Sequence, residues 1–186
     1  VLLENLNLSL RAGELVCFMG PNGIGKSTFI RTIAGLQNPL KGETNLSNNT
    51  PKSESIAVVL TDKIPPNQMR AYDLITFGRY PYLSWDIKLS QDDKAAIDKA
   101  IELTGIGYLL NQKISELSDG QTQLVMIARA LAQECPILLL DEPTAHLDLN
   151  NRVEIMNLLR KLAHETNKAI FIATHELDLV LQTADR

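Results

Sequence analysis

What this chain lacks already narrows its class. It has no apolar run approaching the length of a bilayer span and no signal peptide at its start, so nothing in it reads as a membrane-crossing helix. It has only two cysteines, Cys17 and Cys135, set in the apolar contexts LVCF and ECPILLL. Both read as buried thiols in a reducing compartment, against a disulfide framework or a zinc site. It has no basic run and no Lys/Arg cluster interleaved with aromatics, and its formal net charge is −4, so nucleic acid finds no electrostatic footprint. An acidic balance still admits an anionic ligand, because a few backbone amides and one lysine can bind phosphate locally. Repeats and low-complexity tracts are also missing, as is an initiating methionine. Val1 reads as lying inside a strand, VLLENLNLSL, and TADR directly follows a helical stretch, so both ends are expected to be cut from a longer chain.

What is there suits one globular domain over 1–186 with a sizeable core: 186 residues, 45% hydrophobic and 22% charged. ELVCFMG (14–20), SIAVVL (55–60), PILLLDEP (136–143) and AIFIAT (169–174) are short, continuously apolar runs, as expected of buried strands. Helical patterns separate them: one from Lys26 to Leu36, a mainly helical region from about Ala71 to Glu134, NRVEIMNLLRKLAHE, and ELDLVLQTA. Residues 38–55, rich in Asn, Ser, Thr and Pro, read as loops with edge strands. Fully apolar strands alternating with helices imply an α/β fold whose parallel sheet is covered on both faces.

The sharpest motif is Gly20-Pro21-Asn22-Gly23-Ile24-Gly25-Lys26-Ser27-Thr28, a G-x-x-x-x-G-K-[ST] loop with a strand before it and a helix after it. Its glycines let the backbone turn several N–H groups toward a phosphate, and the helix N-terminus adds positive potential. Lys26 would reach the β and γ phosphates, and the Ser27 hydroxyl would ligate Mg²⁺. ILLLDEPT (137–144) supplies the acidic partner at the carboxyl end of a central strand, where ligands bind in open α/β sheets. Asp141 is the candidate for holding Mg²⁺ through water, and Glu142 for polarising an attacking water. A second helix start lies far away at LSDGQ (117–121), followed by an apolar-striped helix. Read alone it is an ordinary helix cap.

In this order the motifs resemble those of the ATP-binding subunits of ABC transporters, over nearly the whole chain. GPNGIGKST matches the Walker A loop, LSDGQ the signature motif with Asp119 in place of the commoner glycine, ILLLDEPT the Walker B strand, AHLD the D-loop, and ATHE the segment with the switch histidine, His175. The resemblance implies a P-loop NTPase fold of the ABC ATPase type, with a mainly parallel core sheet, a small antiparallel β portion and an inserted helical subdomain. On that division the catalytic core is 1–70 with 135–186, and the signature subdomain is 71–134. It further implies ATP hydrolysis with Mg²⁺, in an ATP-dependent homodimer where Ser118, Asp119, Gly120 and Gln121 face the nucleotide held by the partner. Asp148 would lie at that dimer interface, and His175 would contact the γ phosphate. The resemblance also implies integral-membrane permease subunits as partners, a peripheral place on the cytoplasmic membrane face, and no contact with the transported substrate.

Two positions depart from the family. Thr61 stands where a glutamine ligand of Mg²⁺ and water is expected, and its hydroxyl is a shorter candidate metal ligand, with Gln68 nearby. The aromatic that stacks on adenine would precede Val1. LITFGRYPYLSW (74–85) is similar to the helical subdomain of importers for ferric siderophores, haem and cobalamin, where aromatics and proline help form the groove for the permease. Three other readings stay open. One is a DNA-repair ATPase head, for which residues 37–117 offer five prolines and no sustained heptads in place of a coiled coil. The others are an ATP-gated dimerising module and a translation-type factor.

Overall fold

The computed structural model describes residues 6–46, 51–61, 68–83, 85 and 88–186. Its strands are β1 (Leu15–Met19), β2 (Ile56–Val59), β3 (Ile137–Asp141) and β4 (Ala169–Thr174). Its helices are α1 (Lys26–Ile33), α2 (Lys52–Ser55), α3 (Ala71–Thr76), α4 (Gln91–Thr104), α5 (Asp119–Ala132), α6 (Leu149–Thr166) and α7 (Leu177–Thr183). Two compact units result: residues 1–61 with 136–186, and residues 62–135.

The first unit holds the sheet, in the order β1-β4-β3-β2 with every neighbouring pair parallel. The apolar runs become strands because a central parallel strand is covered on both faces, and all six residues of β4 are indeed buried. Val16, Ile30, Ile56, Leu139, Phe171 and Ala173 form one buried cluster. Against it three rings meet, with centroids 5.3 Å apart for Phe18–Phe29, 6.2 Å for Phe18–Phe171 and 5.9 Å for Phe29–Phe171. This packing fixes α1 on the sheet and thereby the loop that precedes it. The registers Met19↔Thr174, Asp141↔Ala173 and Val59↔Leu140 bring the strands' carboxyl ends to one edge, where the connecting loops leave together.

Two expected features are not formed among the described residues. Residues 6–11 make no strand, and residues 1–5 of the expected VLLENLNLSL strand lie outside the described residues. Leu10 packs against the core, but Leu6 and Leu8 stay exposed, so no continuous face is buried. Nor is there an antiparallel sheet portion: residues 38–46 are irregular, and 52–55 form the short α2. Leu36 and Leu40 are exposed and Gly42 takes φ +88°; the stretch meets the core through the half-buried Leu46 and not through an alternating apolar face. The isolated bridge Arg70↔Lys113 is antiparallel.

The second unit is helical. Ser90 opens α4 with a reciprocal cap: its hydroxyl accepts from Asp93 N–H at 3.1 Å, and Asp93 Oδ2 accepts from Ser90 N–H at 2.9 Å. Gly105, at φ +67°, closes that helix. Between α3 and α4, residues Phe77–Tyr82 wind a tight 3-10 turn against α5. A side chain at Gly78 would meet the Arg129 carbonyl at 2.2 Å, so the approach demands glycine.

Candidate functional site

The loop from Gly20 to Gly25 leaves β1 and enters α1. Gly23 and Gly25 take φ +84° and +105°, and Gly25 is the residue before the first helical turn. These left-handed positions are what the glycines of the motif supply. Lys26 is buried to 5% exposure. Its ammonium donates to Gly20 O at 2.7 Å, Pro21 O at 3.2 Å and Asn22 Oδ1 at 3.4 Å. The lysine therefore braces the very loop it follows, with its charge held at the loop's mouth. Ser27 and Thr28 are exposed beside it, as is Ile24.

From the other side comes the end of β3. Asp141 is 3% exposed, and its Oδ1 is buried with no hydrogen-bond partner among the described residues. A buried carboxylate oxygen with nothing to accept from is costly, and a cation is what relieves it. Glu142 follows with φ +49°, a left-handed conformation costly for a side chain that is not glycine. Its Oε1 lies 3.0 Å from Lys26 Nζ, at ion-pair distance but without hydrogen-bond alignment. Its Oε2 accepts from His175 Nδ1 at 2.6 Å. Lys26, Glu142 and His175 thus form one continuous chain of polar contacts, supplied by the start of α1 and the residues just after β3 and β4. Thr61, just past β2, donates its hydroxyl to Asp141 O at 2.8 Å. Gln68 is described, but residues 62–67 between it and Thr61 lie outside the described residues.

A second network was not legible in the sequence. Glu176, next to His175, accepts from the Thr144 hydroxyl at 3.0 Å and pairs with Arg152 Nη1 at 2.9 Å. Arg152 Nε in turn donates to Leu147 O at 2.7 Å. This ties the DEPT turn and the start of α6 to the loop carrying His175. The only sequence hint is Glu176 itself, a carboxylate directly after the histidine. Asp148 caps α6: its oxygens accept from Asn151 N–H at 2.9 Å and Asn151 Nδ2 at 2.7 Å. His164 meets Asp185 Oδ2 at 2.9 Å. With the Leu15 N–H and Arg160, it holds that carboxyl below its ordinary range although burial alone would raise it.

The signature residues belong to the helical unit. Ser118 Oγ accepts from Gln121 N–H at 3.2 Å while Gln121 Oε1 accepts from Ser118 N–H at 3.0 Å, a full capping box at the start of α5. Ser118 and Asp119 are exposed, and Gly120 is buried. Arg79 of GRYPY, by contrast, is a buried structural cation. Its Nε donates to Asp93 at 2.8 Å, its Nη1 to Ala132 O at 2.8 Å and to Glu134 at 2.9 Å, and its guanidinium lies 4.2 Å from the Tyr82 ring centre.

The family model for ABC transporters matches residues 3–145. An uncharacterised ABC transporter ATP-binding protein of Methanocaldococcus jannaschii is 42% identical over 193 residues, which span the whole of this chain and 67% of that protein. The iron(3+)-hydroxamate import ATP-binding protein of Bacillus subtilis is 35% identical, over 96% of this chain and 69% of its own length. Among solved structures, an inward-facing transporter described as of metal-chelate type superposes with a TM-score of 0.89 at 31% identity, over 98% of this chain and 71% of that one. A dimeric bacterial ABC transporter cassette gives a TM-score of 0.80 at 30% identity, over 99% and 84%. Read with the loop and strand-end geometry, these matches establish that the chain belongs to the ABC transporter family, as an ATP-binding domain that hydrolyses ATP in support of transport.

Proposed function

We propose that this domain powers an importer of large metal chelates, of the ferric-siderophore, haem or cobalamin kind, as one half of a nucleotide-closed homodimer bound to permease subunits at the cytoplasmic membrane face. The observation that carries the catalytic part is the unbroken chain Lys26–Glu142–His175 beside an orphaned Asp141 oxygen. The import reading leans on the named hydroxamate relative and the metal-chelate structure. The dimer reading leans on the dimeric cassette. Among the described residues no helix is long and apolar enough to cross a membrane.

In this reading the amides from Gly20 to Thr28 bind the phosphates, and Lys26 exchanges its contact with Glu142 for one with the γ phosphate. That exchange frees Glu142 to accept a proton from the attacking water, while His175 Nδ1 holds its other oxygen in place. Asp141 and Ser27 are the groups that would hold Mg²⁺. Among the described residues no three His, Cys, Asp or Glu side chains gather, which suits a metal taken up with its phosphates by one carboxylate and one hydroxyl. A bound Mg²⁺ would neutralise charge on the β and γ phosphates. Ser118, Asp119, Gly120 and Gln121 would meet the partner's nucleotide, and Asp148 would lie near the partner's phosphate loop. Exposure of Ser118 and Asp119 at a helix N-terminus supports that role.

The test is the mass of the Glu142→Gln variant by light scattering with and without MgATP. Blocked hydrolysis should trap a dimer that is absent without nucleotide. A monomer that still binds ATP would overturn the homodimer reading, and a variant that hydrolyses at the native rate would remove Glu142 from its role.

A further inference from the structure

Asp141 and Glu142 share one peptide group, and that group is held from both sides. Its N–H, on Glu142, donates to Ala173 O of β4 at 2.8 Å. Its C=O, on Asp141, accepts from the Thr61 hydroxyl at 2.8 Å. Thr61 is two residues past the end of β2, beyond the last paired register Val59↔Leu140, so no backbone ladder on that side reaches the Asp141 carbonyl. The threonine side chain takes over where the ladder stops. The residue held in this way is the one that needs holding: Glu142 sits at φ +49°, and its carboxylate is aimed between Lys26 and His175. A strained conformation persists only where its surroundings over-determine it.

We infer that Thr61 is a positioning residue for the hydrolysis reaction: its hydroxyl and the Ala173 carbonyl clamp the Asp141–Glu142 peptide between β2 and β4 and so fix the direction of the Glu142 carboxylate. This rests on the proposed role of Glu142 and gives Thr61 a task other than metal ligation. The position needs a short side chain carrying a donor. Serine meets that demand and valine, of nearly the same shape, does not. Glutamine is long enough to pass the carbonyl by.

The experiment measures steady-state hydrolysis by the whole protein carrying Thr61→Val, Thr61→Ser or Thr61→Gln. Valine should lower kcat about tenfold and leave KM for ATP and the Mg²⁺ requirement within about twofold, while serine stays within about twofold of the native rate. A native rate with valine, or serine as slow as valine, overturns the clamp. A valine variant restored by excess Mg²⁺ overturns it in favour of a metal-ligating hydroxyl. Amide hydrogen exchange gives a second readout free of turnover: protection of the Glu142 N–H should fall about tenfold with valine and hold with serine. Unchanged protection with valine overturns the clamp. Should Glu142→Gln itself hydrolyse at the native rate, the role of Glu142 fails, and the exchange data still decide whether Thr61 holds the peptide.

Discussion

Two buried cations, one in each unit, show how differently this chain uses the same kind of residue. Lys26 is 5% exposed and Arg79 is 6% exposed, and both meet backbone carbonyls and carboxylates. Arg79 is held on several sides: its Nε and Nη1 donate to two carboxylates and to the last carbonyl of α5, and its guanidinium lies over the Tyr82 ring. Around Lys26 the accounts stay open. Its Glu142 contact lacks hydrogen-bond alignment, Asp141 Oδ1 has no hydrogen-bond partner among the described residues, and Glu142 is left-handed. The difference lies in the carboxylates: Asp93 accepts at both oxygens, from Arg79 and Ser90, as a structural ion pair does. Buried oxygens of Asp141 and Glu142 are instead left short beside the phosphate loop, as suits a site that takes up a ligand.

The same substitution at both positions would break or sharpen that contrast. Arg79→Met strands the Asp93 carboxylate in the interior, and removing one partner of such a pair costs about 3–5 kcal/mol of stability. Denaturant unfolding of the variant should show that loss, with KM for ATP unchanged in whatever remains folded. Lys26→Met leaves its loop carbonyls near solvent, as Pro21 and Asn22 are exposed, and leaves Glu142 with its His175 hydrogen bond, the contact it loses being unaligned. Its stability should stay within about 1 kcal/mol of native, while ATP turnover falls about a hundredfold or more. Equal stability losses at the two sites would erase the distinction between them.

Much of the sheet unit could be read in advance, and the reason is local. Four continuous apolar runs, each near the length of a buried strand, appear as strands within one or two residues of the expected ends. The phosphate loop was legible because its glycines and lysine are tied to each other by fixed spacing. What pairs residues far apart was not. Nothing local says that β4 inserts between β1 and β3, that Glu176 bridges Thr144 and Arg152, or that Thr61 reaches Asp141. In the helical unit, LITFGRYPYLSW (74–85) reads by resemblance as a segment whose aromatics and proline help form the permease groove, a reading that assigns nothing to Arg79. Its arginine turns out to cap α5 from the side, a role that depends on Asp93 and Glu134 arriving from other segments. Before β1, the described part of VLLENLNLSL forms no strand: Leu10 reaches the core, but Leu6 and Leu8 stay exposed, so no continuous face is buried there.

A smaller effect separates the units by pH. The Ser90 hydroxyl and Arg79 hold the Asp93 carboxyl down at about 2. Its folded value lies below its unfolded one, so its contribution to stability is full above about pH 4 and is lost as pH falls through about 2. The Asp93→Asn variant should unfold at lower denaturant than the native protein near pH 5, and the two midpoints should converge as pH approaches about 2. A gap that stays constant down to that pH would mean that the loss is one of packing rather than of charge.

The smallest effect concerns a nucleophile that the site does not use. Cys17 lies on β1, three residues before the phosphate loop, where a reactive thiol would be a rival to the chemistry beside it. Burial pushes its thiol up to about 12, and the Asp185 carboxylate adds to the shift. Only the thiolate is nucleophilic, so relative to an ordinary thiol at 9.0 alkylation near pH 8 should slow about a thousandfold from thiolate fraction alone. Mass spectrometry of iodoacetamide-treated native protein should find Cys17 unmodified on a timescale that labels it fully in denaturant. Asp185→Asn removes only the lesser cause and should quicken labelling slightly. Labelling of Cys17 at the unfolded rate would mean that β1 opens readily at its edge. The pairing of its backbone with Asp185 and Arg186, and the firmness of the strand that aims the phosphate loop, would then both be in question.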